Sequence, residues 1–208
     1  MQRRGLLLFV AMCVIWGVPY LLIRVAVREM SPATLVLGRT ALAALLLVPV
    51  AAWRNELRPV LRHWPALLAF AAVEIALPWM LLGSAEKRIS SSLTALLIAA
   101  VPLVAAVIAR TTGTRTRLGP RAAAGILLGM LGVAAIVGLD VQHLSVLAVA
   151  EVGIVAVCYA VGPAILQRWL SELPPLGVIA TALGVTAVVF VPIAAPSLPA
   201  GLPSAKAI

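Results

Sequence analysis

Long apolar segments separated by short polar connections run through almost the whole sequence. Seven of these segments reach the roughly 20 apolar residues that a helix needs to cross a bilayer core of about 30 Å. We predict spans 1 to 7 at residues 5–27, 32–53, 64–83, 90–109, 121–139, 146–167 and 175–195. The connections leave no room for a soluble domain, so backbone polar groups must be satisfied within helices. The predicted fold class is all-α, a multi-pass helical membrane bundle.

The composition agrees with this prediction. Of the 208 residues, 63% are apolar and 11% are charged, whereas soluble domains average about 45–50% apolar and about 25% charged residues. The net charge of +9 comes from basic residues in the short connections. There they act as topology signals, so we exclude nucleic-acid binding and expect the lipid bilayer as a partner. The first apolar run lacks a small-residue cleavage site, and we interpret it as an uncleaved span.

The basic residues fall unevenly on the two sides of the predicted bundle. Cytoplasmic loops carry the excess of lysine and arginine in membrane proteins. Ten basic residues lie on the side of the N-terminus and five on the other, with Arg39 left inside span 2. The ten are Arg3, Arg4, Arg54, Arg58, Arg62, Arg110, Arg115, Arg117, Arg121 and Arg168, and the five are Arg24, Arg28, Lys87, Arg88 and Lys206. We therefore predict a plasma-membrane protein with a cytoplasmic N-terminus.

The sequence also matches itself at an offset of 143 residues. Residues 12–52 align without a gap with residues 155–195, and nine of the 41 positions are identical. The most informative identities are an acid and two prolines, namely Glu29 with Glu172, Pro32 with Pro175 and Pro49 with Pro192. A true repeat would begin at spans 1 and 6, five helices apart. Its second copy would then enter the membrane from the opposite side, as in the inverted repeats of secondary transporters. Chance similarity between two membrane hairpins is the alternative.

Two stretches, "WGVPYLLIRVAVREMSPATLVLGRTALAALLL" and "GSAEKRISSSLTALLIAAVPLVAAVIA", resemble the EamA family of the drug/metabolite transporter superfamily. The matching features, in chain order, are Trp16-Gly17, Arg24 seven residues after that glycine, Pro32 at the start of span 2, Arg39 within it, and Pro102 in span 4. Each motif alone is weak, but their order and spacing together are fairly specific. The resemblance covers essentially the whole chain.

The resemblance implies an architecture of ten spans in two inverted repeats of five. Residues 1–139 would form the first five-helix repeat, and residues 144–208 a partial second one with two helices. It implies a secondary transporter that moves small metabolites or drug-like solutes across the plasma membrane by alternating access, with proton coupling as a further hypothesis. Because three spans would be absent, the alternative is a truncated, non-transporting fragment or a subunit that requires a partner. A seven-span receptor fits the helix count, but the inverted repeat argues against it.

Ionisable side chains inside the spans are the first candidates for a substrate path, because each costs at least about 2.5–3.5 kcal/mol on insertion scales. Glu74 lies near the middle of span 3, and such carboxyl groups form the proton relays of transporters. Arg39 and Glu151 both lie in the outer halves of their spans. Depth permits Arg39 to pair with either glutamate. Such an ion pair would have a functional role if it faced a water-filled cavity, and the alternative is that it only locks two helices together. We expect Arg24, near the outer end of span 1, to snorkel.

Aromatic residues are the second set of candidates, namely Trp16, Tyr20, Trp79 and Tyr159. On a helical wheel Trp16, Tyr20 and Arg24 share one stripe of span 1, and Tyr159 shares a stripe of span 6 with Pro163. Aromatic faces suit apolar or cationic solutes. Tryptophan and tyrosine are also common at membrane interfaces, but Trp16 lies too deep for that position.

Prolines inside the spans are candidate hinges, because proline removes one backbone hydrogen bond and kinks a helix. Pro19, Pro78, Pro102 and Pro163 lie within spans 1, 3, 4 and 6. The family resemblance implies that these four spans form the central cavity. Kinks that serve only helix packing are the alternative.

Other patterns in the sequence add little chemistry. Gly125 and Gly129 have the GxxxG spacing that allows close helix approach, and we expect them to pack within the chain, with a homo-oligomer as the alternative. Cys13 and Cys158 lie in apolar runs, so neither a disulfide nor a metal site is indicated. No phosphate loop, metal-ligand cluster or nucleophile elbow appears. We therefore expect no cofactor and no enzymatic activity.

Overall fold

The computed structural model describes residues 3–111, 119–137 and 145–197. Throughout these ranges the regular elements are helices, which we number α1 to α9. They are α1 (Arg3–Ala26), α2 (Pro32–Trp53), α3 (Leu57–Leu61), α4 (Trp64–Ala85), α5 (Ser91–Ile98), α6 (Val101–Thr111), α7 (Pro120–Val137), α8 (Val146–Leu170) and α9 (Pro175–Ala194). Ala71–Ala76 of α4 and Leu166–Leu170 of α8 are wider π-helical segments, and a 3₁₀ turn, Ala195–Ser197, follows α9.

Most of the predicted spans correspond to helices of membrane-spanning length. Within the described ranges six segments are long and apolar enough to cross a bilayer: Gly5–Ala26, Pro32–Trp53, Trp64–Ala85, Ser91–Ala109, Val146–Leu170 and Pro175–Ser197. The remaining predicted span, 121–139, falls on the 18-residue helix α7, and its last two residues lie outside the described part of the chain. The all-α, multi-pass helical bundle expected from the sequence is confirmed.

Serine residues determine where three of the helices begin. The hydroxyls of Ser31, Ser90 and Ser145 accept hydrogen bonds from backbone N–H groups three residues further on, at 3.1, 3.2 and 3.3 Å. Each bond satisfies one of the donors that a helix start leaves unpaired. In α2 the capping serine is followed by Pro32, whose missing N–H costs nothing at the first helical position. The starts of α2, α5 and α8 are therefore determined locally.

The centre of the bundle consists of α2, α4, α8 and α9. Half of the Pro175–Ser197 segment is buried, against 7% of Gly5–Ala26 and 6% of Ser91–Ala109. Helices α2 and α9 pack antiparallel over their whole lengths. The Ser31 hydroxyl at the start of α2 lies 2.7 Å from the Ser197 hydroxyl beyond the end of α9. Helix α1 and the α5–α6 segment therefore lie at the periphery.

The bundle has two ends, the Glu86 end and the Arg54 end, each named after a residue that lies at it. The Glu86 end holds the α1–α2 and α4–α5 connections and the start of α8. The Arg54 end holds the 54–63 connection between α2 and α4, which includes α3, and the α8–α9 connection. At the Glu86 end, a Cβ on Gly83 of α4 would lie 3.0 Å from Cβ of Pro32, so glycine allows the two helices to approach closely.

The four prolines predicted as hinges have different surroundings. Pro78 follows the π-helical segment of α4, and it has no N–H to bond the carbonyl group four residues earlier, which favours the wider turn. Pro163 lies three residues before the π-helical segment of α8. Pro102 follows the break between α5 and α6. Helix α1 continues through Pro19 without interruption.

Candidate functional site

A cavity of about 370 Å³ lies between α1, α2, α4, α8 and α9. Most of its wall is apolar, formed by Ile15, Pro19, Ile23, Phe70, Ile75, Leu82, Ile179 and Leu183. Its polar groups come from Tyr20, Arg39, Glu74, Trp79 and Tyr159. A concave, mainly apolar surface with a few convergent polar groups is the usual form of a small-molecule site.

The cavity brings together most of the substrate-path residues expected from the sequence. Five of the seven line it: Tyr20, Arg39, Glu74, Trp79 and Tyr159. The side chain of Trp16 lies outside the described part of the structure. Glu151 does not line the cavity, because it lies near the start of α8, at the Glu86 end of the bundle.

The helices around the cavity differ from those implied by the family resemblance. Spans 1, 3, 4 and 6 were expected, but span 4 contributes no lining residue and spans 2 and 7 do. Span 4 corresponds to α5 and α6 at the periphery, and its Pro102 is exposed. Of the expected hinge prolines, only Pro19 lines the cavity, while Pro78 is buried beside it and Pro163 is exposed.

Arg39 is positioned by an aromatic ring. Its guanidinium carbon lies 4.0 Å from the centre of the Trp79 ring, a cation–π contact between α2 and α4. The side chains of Tyr20 and Tyr159 line the same cavity as the guanidinium. The pairing of Arg39 with Glu74 or Glu151 that depth permitted is not formed. Among the described residues Glu151 is paired with Arg88, and Oε2 of Glu74 has no hydrogen-bond partner.

Glu74 lies in the π-helical segment of α4 and faces α8. Its Oε2 atom is buried and has no hydrogen-bond partner within the described part of the chain. The carboxyl group rests directly on the backbone of Gly162, because a Cβ at that position would overlap Oε2. Gly162 is therefore the residue of α8 that makes room for Glu74, and the sequence analysis missed it.

Glu151 pairs with a different cation from the one expected. Its carboxylate accepts two hydrogen bonds from the Arg88 guanidinium, at 2.8 and 2.9 Å, and one from the Ser84 hydroxyl at 3.0 Å. Ser84 lies in the last turn of α4, and Arg88 lies three residues beyond its end. This cluster fastens the start of α8 to the Glu86 end of the bundle, which makes it structural.

Glu86 is a buried carboxyl group one residue beyond α4, between predicted spans 3 and 4. It is 1% exposed, and neither of its carboxyl oxygens has a hydrogen-bond partner in the described ranges. Burial raises the pKa of the Glu86 carboxyl to about 7, and the nearby Arg24 guanidinium acts in the opposite direction. Arg24 extends toward the Glu86 end of the bundle. It donates hydrogen bonds to the backbone carbonyls of Glu86 and Ile89, which ties the end of α1 to the α4–α5 connection.

The fold and the cavity together define a class of protein: a multi-pass helical membrane protein with a solute-sized site between its helices. The profile of the EamA-like transporter family matches residues 3–138. Because this match covers about two thirds of the sequence, the chain belongs to the EamA-like transporter family, and membrane transport is its general function. Searches of curated proteins and of solved structures returned no match.

Proposed function

We propose that the cavity binds a small metabolite or drug-like solute, which the chain moves across the plasma membrane by alternating access. The observation that carries this proposal is the composition of the cavity wall. One guanidinium, one carboxyl group and three aromatic side chains converge in an otherwise apolar space of about 370 Å³. That volume lies within the range of small-molecule sites. Polar and ionisable side chains inside the membrane cost free energy, so their convergence in one cavity supports a role in solute binding.

Glu74 is the proposed proton-carrying residue. A carboxyl group within the membrane normally pairs with a cation or with backbone groups, whereas Oε2 of Glu74 has no partner among the described residues. Arg39, the cation in the same cavity, is instead held over Trp79. Glu74 is therefore free to exchange a proton with a solute or with water that enters the cavity.

The proposed transport movement rests on an inverted repeat, with residues 1–139 as the first unit and 144–208 as part of the second. The offset of 143 residues found in the sequence also separates the starts of α2 and α9, at Pro32 and Pro175. These two helices pack antiparallel, as equivalent helices of oppositely inserted units would. We place the N-terminus in the cytoplasm, so that the Arg54 end faces inward.

Reconstitution of the chain into proteoliposomes tests this proposal. Thermal shift of the purified protein against a panel of small metabolites first identifies a ligand, and uptake of that ligand in radiolabelled form is then measured at several external pH values. We expect Glu74→Gln to retain ligand binding but to lose the pH dependence of uptake. Glu172→Gln, which removes an exposed carboxylate outside the cavity, is the matched control and should behave like the wild type.

The outcomes separate the parts of the proposal. If Glu74→Gln leaves both the rate and the pH dependence of uptake unchanged, proton coupling through Glu74 is wrong. If a ligand binds but is not moved by the wild type, alternating access by this chain alone is wrong. That result would favour the alternative of a non-transporting or partner-requiring subunit.

A further inference from the structure

The 54–63 connection between α2 and α4 presents a row of arginines at one end of the bundle. Arg54, Arg58 and Arg62 recur every four residues, and all three are exposed. Arg168, near the end of α8, is a fourth exposed arginine at the same end. In the part of the chain that the structure describes, none of the four forms an ion pair with a carboxylate.

The inner side of this connection is fixed to the bundle. Asn55 adopts a left-handed backbone conformation, with φ of 58°, which turns the chain directly after α2. The Glu56 carboxylate accepts a hydrogen bond of 3.1 Å from the N–H of Gly177 at the start of α9, where a negative charge is also favoured by the helix dipole. Val60 of α3 is completely buried. Because Glu56 is engaged with α9, the arginines remain on the outer side without a carboxylate partner.

Tryptophan side chains mark the depth of this end in the membrane. Trp53 ends α2, Trp64 begins α4 and Trp169 is the second-last residue of α8. They are 82%, 60% and 53% exposed, respectively. Tryptophan residues at the ends of spans lie at the level of the lipid headgroups. The guanidinium carbon of Arg168 lies 5.6 Å from the centre of the Trp169 ring, so at least one arginine is held at the same level.

The Glu86 end uses its cations differently. Arg88 is paired with Glu151, and Arg24 donates to backbone carbonyls. At that end two cations are therefore occupied by internal contacts and two, Arg28 and Lys87, are exposed, whereas Arg54, Arg58, Arg62 and Arg168 are all exposed. The difference between the two ends points to an external anionic partner at the Arg54 end.

We propose that the headgroup surface formed by Arg54, Arg58, Arg62, Arg168 and the three exposed tryptophans binds the phosphates of anionic phospholipids. Arginine guanidinium groups bind phosphate oxygens in a bidentate manner. A juxtamembrane basic residue strengthens binding to an anionic leaflet by about fivefold. Lipid is the partner in this proposal because the arginines and tryptophans share the depth at which phospholipid phosphates lie. The proposal does not depend on transport.

Tryptophan quenching in nanodiscs tests this proposal directly. The full chain is placed in phosphatidylcholine containing a minority of phosphatidylglycerol, and the acyl chains of one lipid or the other carry bromine. We expect brominated phosphatidylglycerol to quench more than brominated phosphatidylcholine at equal mole fraction. The double variant Arg58→Gln, Arg62→Gln should lower the preference for phosphatidylglycerol by about 25-fold if the two residues act independently. The control Arg28→Gln, Lys87→Gln removes two exposed cations at the Glu86 end and should keep the preference.

Further variants distinguish the chemistry of the partner. Arg58→Lys, Arg62→Lys should keep most of the preference, which also shows that the connection tolerates substitution. Equal quenching by both lipids in the wild type would overturn the proposal. An equal loss of the preference for phosphatidylglycerol in the glutamine double variant and in the control would also overturn it. Abolition of the preference by inorganic phosphate, but not by chloride at matched ionic strength, would identify a site for free phosphate and would also overturn it.

Discussion

Glu86 predicts a specific dependence of stability on pH. A solvated glutamate has an ordinary pKa of 4.5, and burial raises the pKa of Glu86 in the folded chain to about 7. The folded state therefore binds this proton more tightly than the unfolded state does. Below pH 4.5 the carboxyl is neutral in both states and costs nothing. Between pH 4.5 and 7 stability falls as pH rises, and above pH 7 the loss is complete.

The size of this effect follows from the difference between the two pKa values. Since one pKa unit corresponds to about 1.4 kcal/mol, the full loss of stability is about 3 kcal/mol. Most of it, about 2.5 kcal/mol, falls between about pH 5 and pH 8. For a chain of this size that corresponds to a decrease of about 5–10 °C in the unfolding midpoint. Glu86→Gln removes the titrating group, so the decrease in the unfolding midpoint between pH 5 and pH 8 should be smaller by this amount.

Thermal unfolding in detergent between pH 5 and 8 measures the effect. The wild type, Glu86→Gln and the exposed control Glu172→Gln are compared at constant ionic strength. We expect the curves of the wild type and Glu172→Gln to run parallel and that of Glu86→Gln to be flatter. Parallel curves for the wild type and Glu86→Gln would refute the reasoning, because the buried carboxyl would then titrate as it does in the unfolded chain.

Three further predictions test individual contacts. Arg24→Gln removes a charged donor to two backbone carbonyls and should destabilise the chain by about 2–3 kcal/mol in the same unfolding assay, whereas Arg28→Gln should leave stability unchanged. Gly162→Ala should displace the Glu74 carboxyl and destabilise the chain by about 1–3 kcal/mol in that assay. In the double variant with Glu74→Asp, the shorter acidic side chain should restore part of that stability. The control Gly153→Ala, on an open face of α8, should be neutral or stabilising. Trp79→Leu removes the ring beneath Arg39 and should weaken ligand binding to the cavity by about tenfold in calorimetric titration, with the exposed Trp169→Leu as the control that retains wild-type affinity.

The helices were predictable because the bilayer imposes a simple rule. Each apolar run must be long enough to cross the hydrocarbon core and must satisfy its own backbone. The polar residues Arg39 and Glu74 could be assigned to a site for the same reason, since lipid excludes them. Periodicity also placed Tyr20 and Tyr159 on inward faces, and both line the cavity.

The sequence could not indicate which polar residues would meet. Glu151 and Arg39 lie at compatible depths, but Arg88, three residues beyond the end of α4, is the cation that pairs with Glu151. Gly162 was missed because a glycine in an apolar helix has no chemical signal of its own, and only the position of Glu74 on the neighbouring helix reveals its use.

GxxxG spacing was also insufficient to predict packing. Gly125 and Gly129 of α7 were expected to pack within the chain, yet a Cβ at either position would meet no described atom within 4 Å. The spacing permits close approach but does not provide a partner helix. Gly83, Gly162 and Gly177 have no such spacing, yet neighbouring segments approach them closely.

Buried polar groups in this bundle differ in how they are satisfied, and the exceptions lie in the cavity or near it. The hydroxyls of Thr40 and Thr186 donate to carbonyls of their own helices, both at 2.8 Å. Two carboxyl groups have unpartnered oxygens in the described ranges, and both belong to α4 and its extension. Glu74 lies in the cavity, while Glu86 lies near Tyr20 of α1, which forms part of the cavity wall. Since Arg24 at the end of α1 donates to the backbone carbonyl of Glu86, we expect protonation of Glu86 to act on the helix that closes one side of the cavity. A pH effect on ligand binding that persists in Glu74→Gln and disappears in Glu86→Gln would show that Glu86, and not Glu74, is the source of the pH dependence.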